Sequence, residues 1–183
     1  FGKDRRFAPF WSVGIGWNAH NESFLSDLGW FDIFRIRGSV GYTGSVNFSD
    51  YQAITTYLYK QDNNYLISMG ALPITMGNDR LKWQTTVKYN VGATLEMWEG
   101  RLSANFDIYK EDTKDLLLSI STPPSMGVTN VMDNLGETGN WGYEWSLSGL
   151  LIKSNQLYWR MGLSGHHTEN KLKKISNSMK RQN

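Results

Sequence analysis

Apolar and polar side chains alternate with a period of two residues in six segments of the chain. Such a period places successive side chains on opposite faces of a β-strand, whereas a helix repeats about every 3.6 residues. The six segments cover residues 7–18, 34–43, 81–96, 101–109, 140–148 and 157–166. The pattern predicts an all-β, antiparallel fold. Odd residues 81–95 should face outward and even residues 82–96 inward, in a long strand paired with residues 101–118.

The connections between these segments alternate between short and long. Residues 97–100 and 153–156 form short turns, and residues 19–31 form a compact link in which Asn21 is placed to cap one helical turn. The two long connections cover about residues 44–80 and 119–138. Short turns at one end and long loops at the other are typical of an outer-membrane β-barrel.

Strand length and the position of aromatic residues favour the same fold. The third segment and the strand expected over residues 101–118 exceed ten residues, whereas strands of soluble proteins usually have about five or six and membrane-crossing strands about 9–11. Tryptophans stand near strand ends, as in the aromatic girdles of membrane barrels, at positions 11, 17, 83, 98, 141 and 159. The alternative is a soluble β-sandwich that binds carbohydrate, in which the apolar faces would pack against a second sheet.

Composition excludes several other classes of protein. The chain has 183 residues, 40% of them hydrophobic, and no run long and apolar enough to form a membrane-spanning helix. Its formal net charge is +2, but five of the 19 basic residues and none of the 17 acidic ones lie in residues 171–183. A basic arm or a solvated loop end both fit that tail, and no uniform basic face for nucleic acid is present. The absence of Cys removes disulfides and thiolate metal sites.

Five stretches of sequence resemble one family, the SusC/RagA TonB-dependent transporters. They are Phe1–Asn18, the arginine-bearing strand Phe34–Gly44, and Asn78–Gln84, which is similar to an N-x-x-L-K-W-E motif with Gln at its last position. The others are Asp107–Leu117, which is similar to D-x-Y-x-x-x-T-x-D-L-L, and Asn134–Glu144, which is similar to N-x-G-x-x-x-N-x-G-x-E. The matches occur in order along nearly the whole chain.

The resemblance implies a 22-stranded transmembrane β-barrel, filled by a plug, in the outer membrane of a Gram-negative bacterium. Residues 1–183 would be about six strands of the C-terminal barrel domain. The signal sequence, the TonB-contacting segment and the plug are expected before Phe1, and the closing strands after Asn183. The implied partners are a SusD-like surface lipoprotein, TonB, outer-membrane lipid, and an oligosaccharide or peptide substrate that is actively imported. No cofactor is implied.

Candidate functional residues fall into two groups. Polar residues of the inward face are expected to line the barrel lumen, namely Arg35, Arg37, Lys82, Lys88, Asp107, Glu144 and Arg160. Residues of the long loops are candidates for contact with substrate or with the lid lipoprotein, namely Tyr51, Tyr57, Tyr59 and Met126. The three histidines give no metal-binding spacing, since His166 and His167 are adjacent and would point to opposite faces of a strand. No catalytic constellation is found, so an enzyme is not expected.

Overall fold

A computed structural model describes residues 9–27, 29–45, 53–65 and 68–175. These residues form eight strands, one helical turn and two 3₁₀ turns. The strands are β1 (Trp11–Asn18), β2 (Phe31–Ser45), β3 (Thr56–Tyr65), β4 (Ser68–Thr75), β5 (Gln84–Met97), β6 (Leu102–Ser121), β7 (Asn130–Lys153) and β8 (Tyr158–Ile175). The helical turn α1 is Ser23–Ser26, and the 3₁₀ turns are Ala19–Asn21 and Pro124–Met126. No described helix has the length and hydropathy needed to cross a membrane.

Six strands form one antiparallel sheet in the order β1-β2-β5-β6-β7-β8. Sequence alternation predicts all six, and the predicted pairing of the third strand with the fourth is confirmed from Thr85 opposite Lys114 to Met97 opposite Leu102. Within the part of the chain that the structure describes, β1 and β8 do not pair, so the sheet is open. Short turns join β5 to β6 and β7 to β8 at one end, which is called the short-turn end below. The opposite end, with the longer connections, is called the loop end.

The predicted third strand begins three residues later than expected. Gln84 is its first residue, whereas Leu81 and Lys82 lie in the preceding turn, where the Leu81 amide donates to the Asn78 carbonyl. Leu81 does not face outward, since only 1% of it is exposed. Burial in the turn therefore outweighs the alternation that would have extended the strand.

The two long connections are more ordered than the sequence suggests. The first contains a separate two-stranded sheet formed by β3 and β4. The second shrinks to residues 122–129, because β6 and β7 continue pairing as far as Ser121 and Asn130. In the link between β1 and β2, Glu22 rather than Asn21 occupies the N-cap position of α1, and no side chain caps it.

Each side chain of the six-stranded sheet points to one of two faces. The polar face carries Arg37 and Asp107, and the apolar face carries Ile36, Val91 and Ile108. Within β5, the predicted division into odd apolar-face and even polar-face positions holds from Gln84 to Met97.

The fold has almost no interior of its own. Among the described residues the buried apolar ones are Ala19, Leu81, Met97 and Val128. Large apolar side chains such as Ile15, Val91 and Leu163 are more than half exposed on the apolar face. The described residues contain no second large sheet that covers this face, so the arrangement does not match a β-sandwich.

Candidate functional site

A salt bridge on the polar face joins two strands that are not neighbours. Nη2 of Arg37 on β2 donates to both carboxylate oxygens of Asp107 on β6, at 2.7 and 2.6 Å. Gly92 of β5 lies between them in the register. A Cβ at Gly92 would lie 2.2 Å from Oδ1 of Asp107 and 2.8 Å from Nε of Arg37. The bridge therefore requires glycine at this position.

Hydrogen bonds extend the bridge across the polar face. Nη1 of Arg37 donates to Oγ1 of Thr94 at 2.8 Å, and that hydroxyl donates to Oδ1 of Asn105 at 3.0 Å. Asn105 in turn donates to Oγ of Ser146 at 3.4 Å. Polar side chains of β2, β5, β6 and β7 thus form one connected network, which fixes their orientation.

Glu144 and His166 lie beside this network as register partners on β7 and β8. A cleft of about 350 Å³ on the sheet is lined by both, together with Asp107 and Asn105. Its lining presents carboxylates, an amide, an imidazole and hydroxyls, which suit hydrogen bonding to a polar ligand or to a polar protein surface.

Two further predicted polar-face residues have partners on the neighbouring strand. Lys88 forms an ion pair with Glu111, with Nζ and Oε1 at 2.9 Å. Nε of Arg35 donates to Oδ1 of Asn18 at 2.7 Å. The structure therefore brings Arg35, Arg37, Lys88, Asp107 and Glu144 onto one face, as the alternation predicts.

The remaining two predicted residues lie outside the central part of the polar face. Lys82 precedes β5, and its backbone is held by the side chain of Asn134, which accepts from its amide at 2.8 Å and donates to its carbonyl at 3.1 Å. Arg160 lies on the predicted polar face by its register with Leu150, but at the short-turn end, where its Nη2 donates to the Gly100 carbonyl at 3.2 Å. Neither belongs to the central polar network.

The candidate loop residues lie on the β3–β4 hairpin and the turn between β6 and β7. Tyr57 and Tyr59 are 56% and 69% exposed on β3, and Met126 is 43% exposed in its 3₁₀ turn. Tyr57 pairs in register with Pro73, which approaches Gly127, the neighbour of Met126. The structure therefore brings Tyr57 and Met126 into one region, while Tyr51 lies outside the described residues.

Asparagine side chains fasten the end of the first long connection to the sheet. Nδ2 of Asn78 donates to the Met132 carbonyl at 3.1 Å and to Oδ1 of Asp133 at 3.2 Å. Asn134, besides holding Lys82, donates to the Asp115 carbonyl at 2.7 Å, where β6 has a positive φ and its pairing shifts. This cluster of Asn78, Leu81, Lys82 and Asn134 is called the latch below.

Beyond Ile108 and Tyr143 the apolar face becomes charged toward the loop end. Lys173 of β8 reaches over Gly139 to form an ion pair with Asp112 of β6. The hydrogen bond from Lys173 lowers the pKa of the Asp112 carboxyl, which lies outside the apolar part of the sheet. Lys171 pairs with Glu169 at 2.8 Å, and Nε1 of Trp141 donates to the same carboxylate at 2.7 Å.

Sequence reasoning missed the latch and both glycine-spanning ion pairs. Alternation assigns a residue to a face, but it does not identify the partner two strands away. Gly92 and Gly139 are the available signals, because a strand glycine on one face can admit a side chain from each neighbouring strand. The described residues contain no group of three or more potential metal ligands.

The chain matches the family model described as TonB dependent receptor-like, beta-barrel, over residues 1–177. It is 28% and 30% identical to the TonB-dependent receptors P39 and P3 of Formosa agariphila, over 96% of this chain. It is 28% identical to the TonB-dependent receptor SusC of Bacteroides thetaiotaomicron, again over 96% of this chain. It spans only 17–18% of the length of these relatives.

Solved structures give the same relationship. The chain superposes on the RagAB peptide importer in its closed-closed state with a TM-score of 0.87 and 26% identity, covering 96% of this chain and 19% of that one. For the open-open state the TM-score is 0.84 at the same identity. With the single antiparallel sheet and its two unlike faces, these matches establish that the chain belongs to the TonB-dependent receptor-like β-barrel family.

Proposed function

We propose that this chain forms part of the wall and external loops of a TonB-dependent active transporter in the outer membrane of a Gram-negative bacterium. In this arrangement the apolar face contacts lipid and the polar face lines the lumen, with the loop end outside the cell. The observation that carries the proposal concerns the aromatic residues that bound the apolar face at each end of the strands, called the aromatic limits. The line that joins them across the sheet is not perpendicular to the strands.

The slant is seen by following one row of paired residues across the sheet. The row that begins at Trp17 on β1 runs through Ile36, Ala93, Phe106 and Trp145 and ends at Gly165 on β8. The aromatic residue near the short-turn end of β8 is Trp159, six residues beyond Gly165. The limit at the loop end shifts in the same direction, toward the short-turn end. Trp11 marks this limit on β1, but the row of paired residues that starts at Trp11 reaches the charged Lys171 on β8, where the apolar part of the face has already ended.

This displacement gives the angle between the strands and the aromatic limits. Six residues at about 3.4 Å span about 20 Å, and the five steps from β1 to β8 at about 4.8 Å cross about 24 Å. The strands are therefore inclined by about 40° to the normal of the aromatic limits, within the roughly 35–45° of membrane barrels. The limit at the short-turn end gives this angle and the limit at the loop end shifts in the same direction, which supports a lipid-facing band; a solvated sandwich has no reason to produce such a slant.

The polar face and the loops supply the contacts that import requires. The lumen-facing residues are Arg35, Arg37, Lys88, Asp107 and Glu144, whose fixed side chains can hydrogen-bond to a plug or to a passing substrate. The exposed rings of Tyr57 and Tyr59 can stack on a sugar ring or pack on a peptide side chain. The proposed cargo is accordingly an oligosaccharide or a peptide, and the proposed partners are a SusD-like lipoprotein at the loops and TonB through another part of the protein.

The test uses the full-length transporter purified with its lipoprotein partner. Tyr57→Ala combined with Tyr59→Ala should weaken substrate binding about 5- to 30-fold, equivalent to about 1–2 kcal/mol of lost aromatic contact. Tyr158→Ala is the matched control, since Tyr158 is equally exposed but lies at the short-turn end.

Calorimetry with panels of oligosaccharides and peptides measures the binding, and uptake by cells with and without TonB tests the energy coupling. Uptake that persists without TonB would contradict active transport. Equal losses in Tyr158→Ala and the double variant would contradict the assignment of the loop residues.

A further inference from the structure

The apolar face bears a group of charged residues on its loop side that the transport function does not use. It consists of Lys110, Asp112 and Lys114 on β6 and Glu169, Lys171 and Lys173 on β8, and is called the charged belt. Five of them share the side of Ile108 and Leu163 by register, and Lys173 reaches Asp112 over Gly139 on that same side. Four lysines against two carboxylates leave the belt with a net positive charge.

We infer that the charged belt binds the phosphate groups of a phosphorylated glycolipid in the outer leaflet of the membrane. The inference rests on the proposed function, because the belt faces lipid only if the apolar face does. Under that orientation its lysines project toward the lipid headgroups, whose phosphates outnumber the two carboxylates, Asp112 and Glu169, that already pair with three of the lysines. The apolar stems of lysine can lie along the band while their ammonium groups reach the phosphates.

The sheet surface at the charged belt has an apolar part, which suits the acyl chains of a glycolipid, and a basic part, which suits its headgroup. A cleft of about 360 Å³ is lined by Ile108 and Trp141 and bordered by Lys110, Lys171 and Lys173, with the carboxylate of Asp112 between the lysines. Trp141 is oriented by its hydrogen bond to Glu169, as befits an amphipathic ring at a lipid interface. The side chains of Lys110 and Lys171 remain 60% and 66% exposed despite their ion pairs, so both can accept a further anion.

The height of the belt favours a headgroup larger than that of a simple phospholipid. At an inclination of about 40°, each residue along a strand rises about 2.6 Å along the membrane normal. The four residue steps from Lys110 to Lys114 thus rise about 10 Å, whereas the headgroup region of an ordinary bilayer extends about 5–8 Å on each side. Phosphates attached at several levels of a sugar headgroup would match the spread of the lysines.

The experiment measures lipid binding to the full-length transporter in detergent by native mass spectrometry and fluorescence titration. The probes are a diphosphorylated lipid A glycolipid, the same glycolipid after enzymatic dephosphorylation, and inorganic phosphate. We expect at least about tenfold tighter binding of the phosphorylated glycolipid. Lys110→Gln and Lys171→Gln should each weaken it about fivefold, as expected for one lysine near an anionic surface.

Lys153→Gln is the matched control, because it removes one charge at the short-turn end and should leave binding within about twofold. Lys171→Arg keeps the charge and should retain binding, which separates charge from folding effects. Equal affinity for the dephosphorylated glycolipid, or an equal loss in Lys153→Gln, would overturn the inference. So would displacement by inorganic phosphate at the lipid's own concentration, since the belt would then be a site for soluble anions.

Failure of this inference differs from failure of the proposed function. One outcome would overturn the lipid site alone. In it, the wild type binds the phosphorylated and dephosphorylated glycolipids equally, while Lys110→Gln retains substrate binding and TonB-dependent uptake. A full-length protein that stays monodisperse without detergent would instead overturn the proposed membrane location.

Discussion

The Arg37 guanidinium and the Asp107 carboxylate meet across an intervening strand, directly over Gly92. Their contact ties β2 to β6 without using the backbone hydrogen bonds of β5. Because the sheet buries few side chains, packing does little to orient the residues of the polar face. The salt bridge holds Arg37 and Asp107 in place instead. The salt bridge therefore depends on the space left by the missing side chain of Gly92 as well as on the two charges.

Gly92→Ala should destabilise the parent barrel by about 1–3 kcal/mol, because the added methyl group displaces Arg37 or Asp107 from a filled space. The control is Gly16→Ala, which lies in the same row on the polar face but has no atom within 4 Å of the added carbon. Urea unfolding of both full-length variants in detergent or lipid measures the difference. Equal destabilisation would show that the bridge does not depend on the open space.

Val91→Arg should destabilise the parent barrel by about 1–3 kcal/mol, because a charged side chain on the lipid face costs roughly 2–4 kcal/mol at the bilayer midplane and less toward the interface. Val91 is 58% exposed on the apolar face, between Gly38 and Ile108. Asn90→Arg adds the same charge to the polar face one residue away and should cost far less. A folding titration in lipid vesicles that gives similar losses for both variants would contradict the lipid-facing assignment.

Asn134→Ala should loosen the latch, since it leaves the Lys82 amide and the Asp115 carbonyl without their partner. Amides of residues 81–85 should then exchange hydrogen about tenfold faster, because each lost hydrogen bond contributes roughly 0.5–1.5 kcal/mol. Hydrogen exchange of the full-length protein, read by mass spectrometry, measures the change. Asn130→Ala, near the tip of the β6–β7 hairpin, should leave the same amides unaffected.

Residues 1–183 expressed alone without detergent should aggregate. The sheet exposes many large apolar side chains on one face, and its outer strands β1 and β8 each have one edge without a partner strand among the described residues. Size-exclusion chromatography with light scattering measures the outcome. A monodisperse monomer with cooperative unfolding would contradict the barrel-wall assignment.

The strands of the sheet could be predicted from the sequence because each face has its own solvent or lipid environment. Alternation identified β5 and β6 and assigned Arg37, Lys88 and Asp107 to one face, since a period of two follows from strand geometry alone. The resemblance of the motifs to one family also placed the chain correctly among TonB-dependent receptors.

What could not be predicted depends on contacts distant in sequence. Leu81 continues the alternation, yet it is buried because Asn134 and Asn78 hold the preceding turn against β7. The β3–β4 hairpin lies in a stretch with weak alternation, and the outer part of β7 contains glycines and polar residues. There, pairing with a neighbouring strand rather than local propensity determines the structure.

The order of strands in the sheet also governs the route by which it can form. The hairpins β1–β2, β5–β6 and β7–β8 pair segments that adjoin in the chain, with only short links to close. The pairing of β2 with β5 instead closes residues 46–83, at an entropic cost roughly 2 kcal/mol above that of a four-residue turn. Local pairing of β3 with β4 shortens that loop and reduces the cost. The seam between β2 and β5 is thus expected to form last, after the hairpins on either side of it.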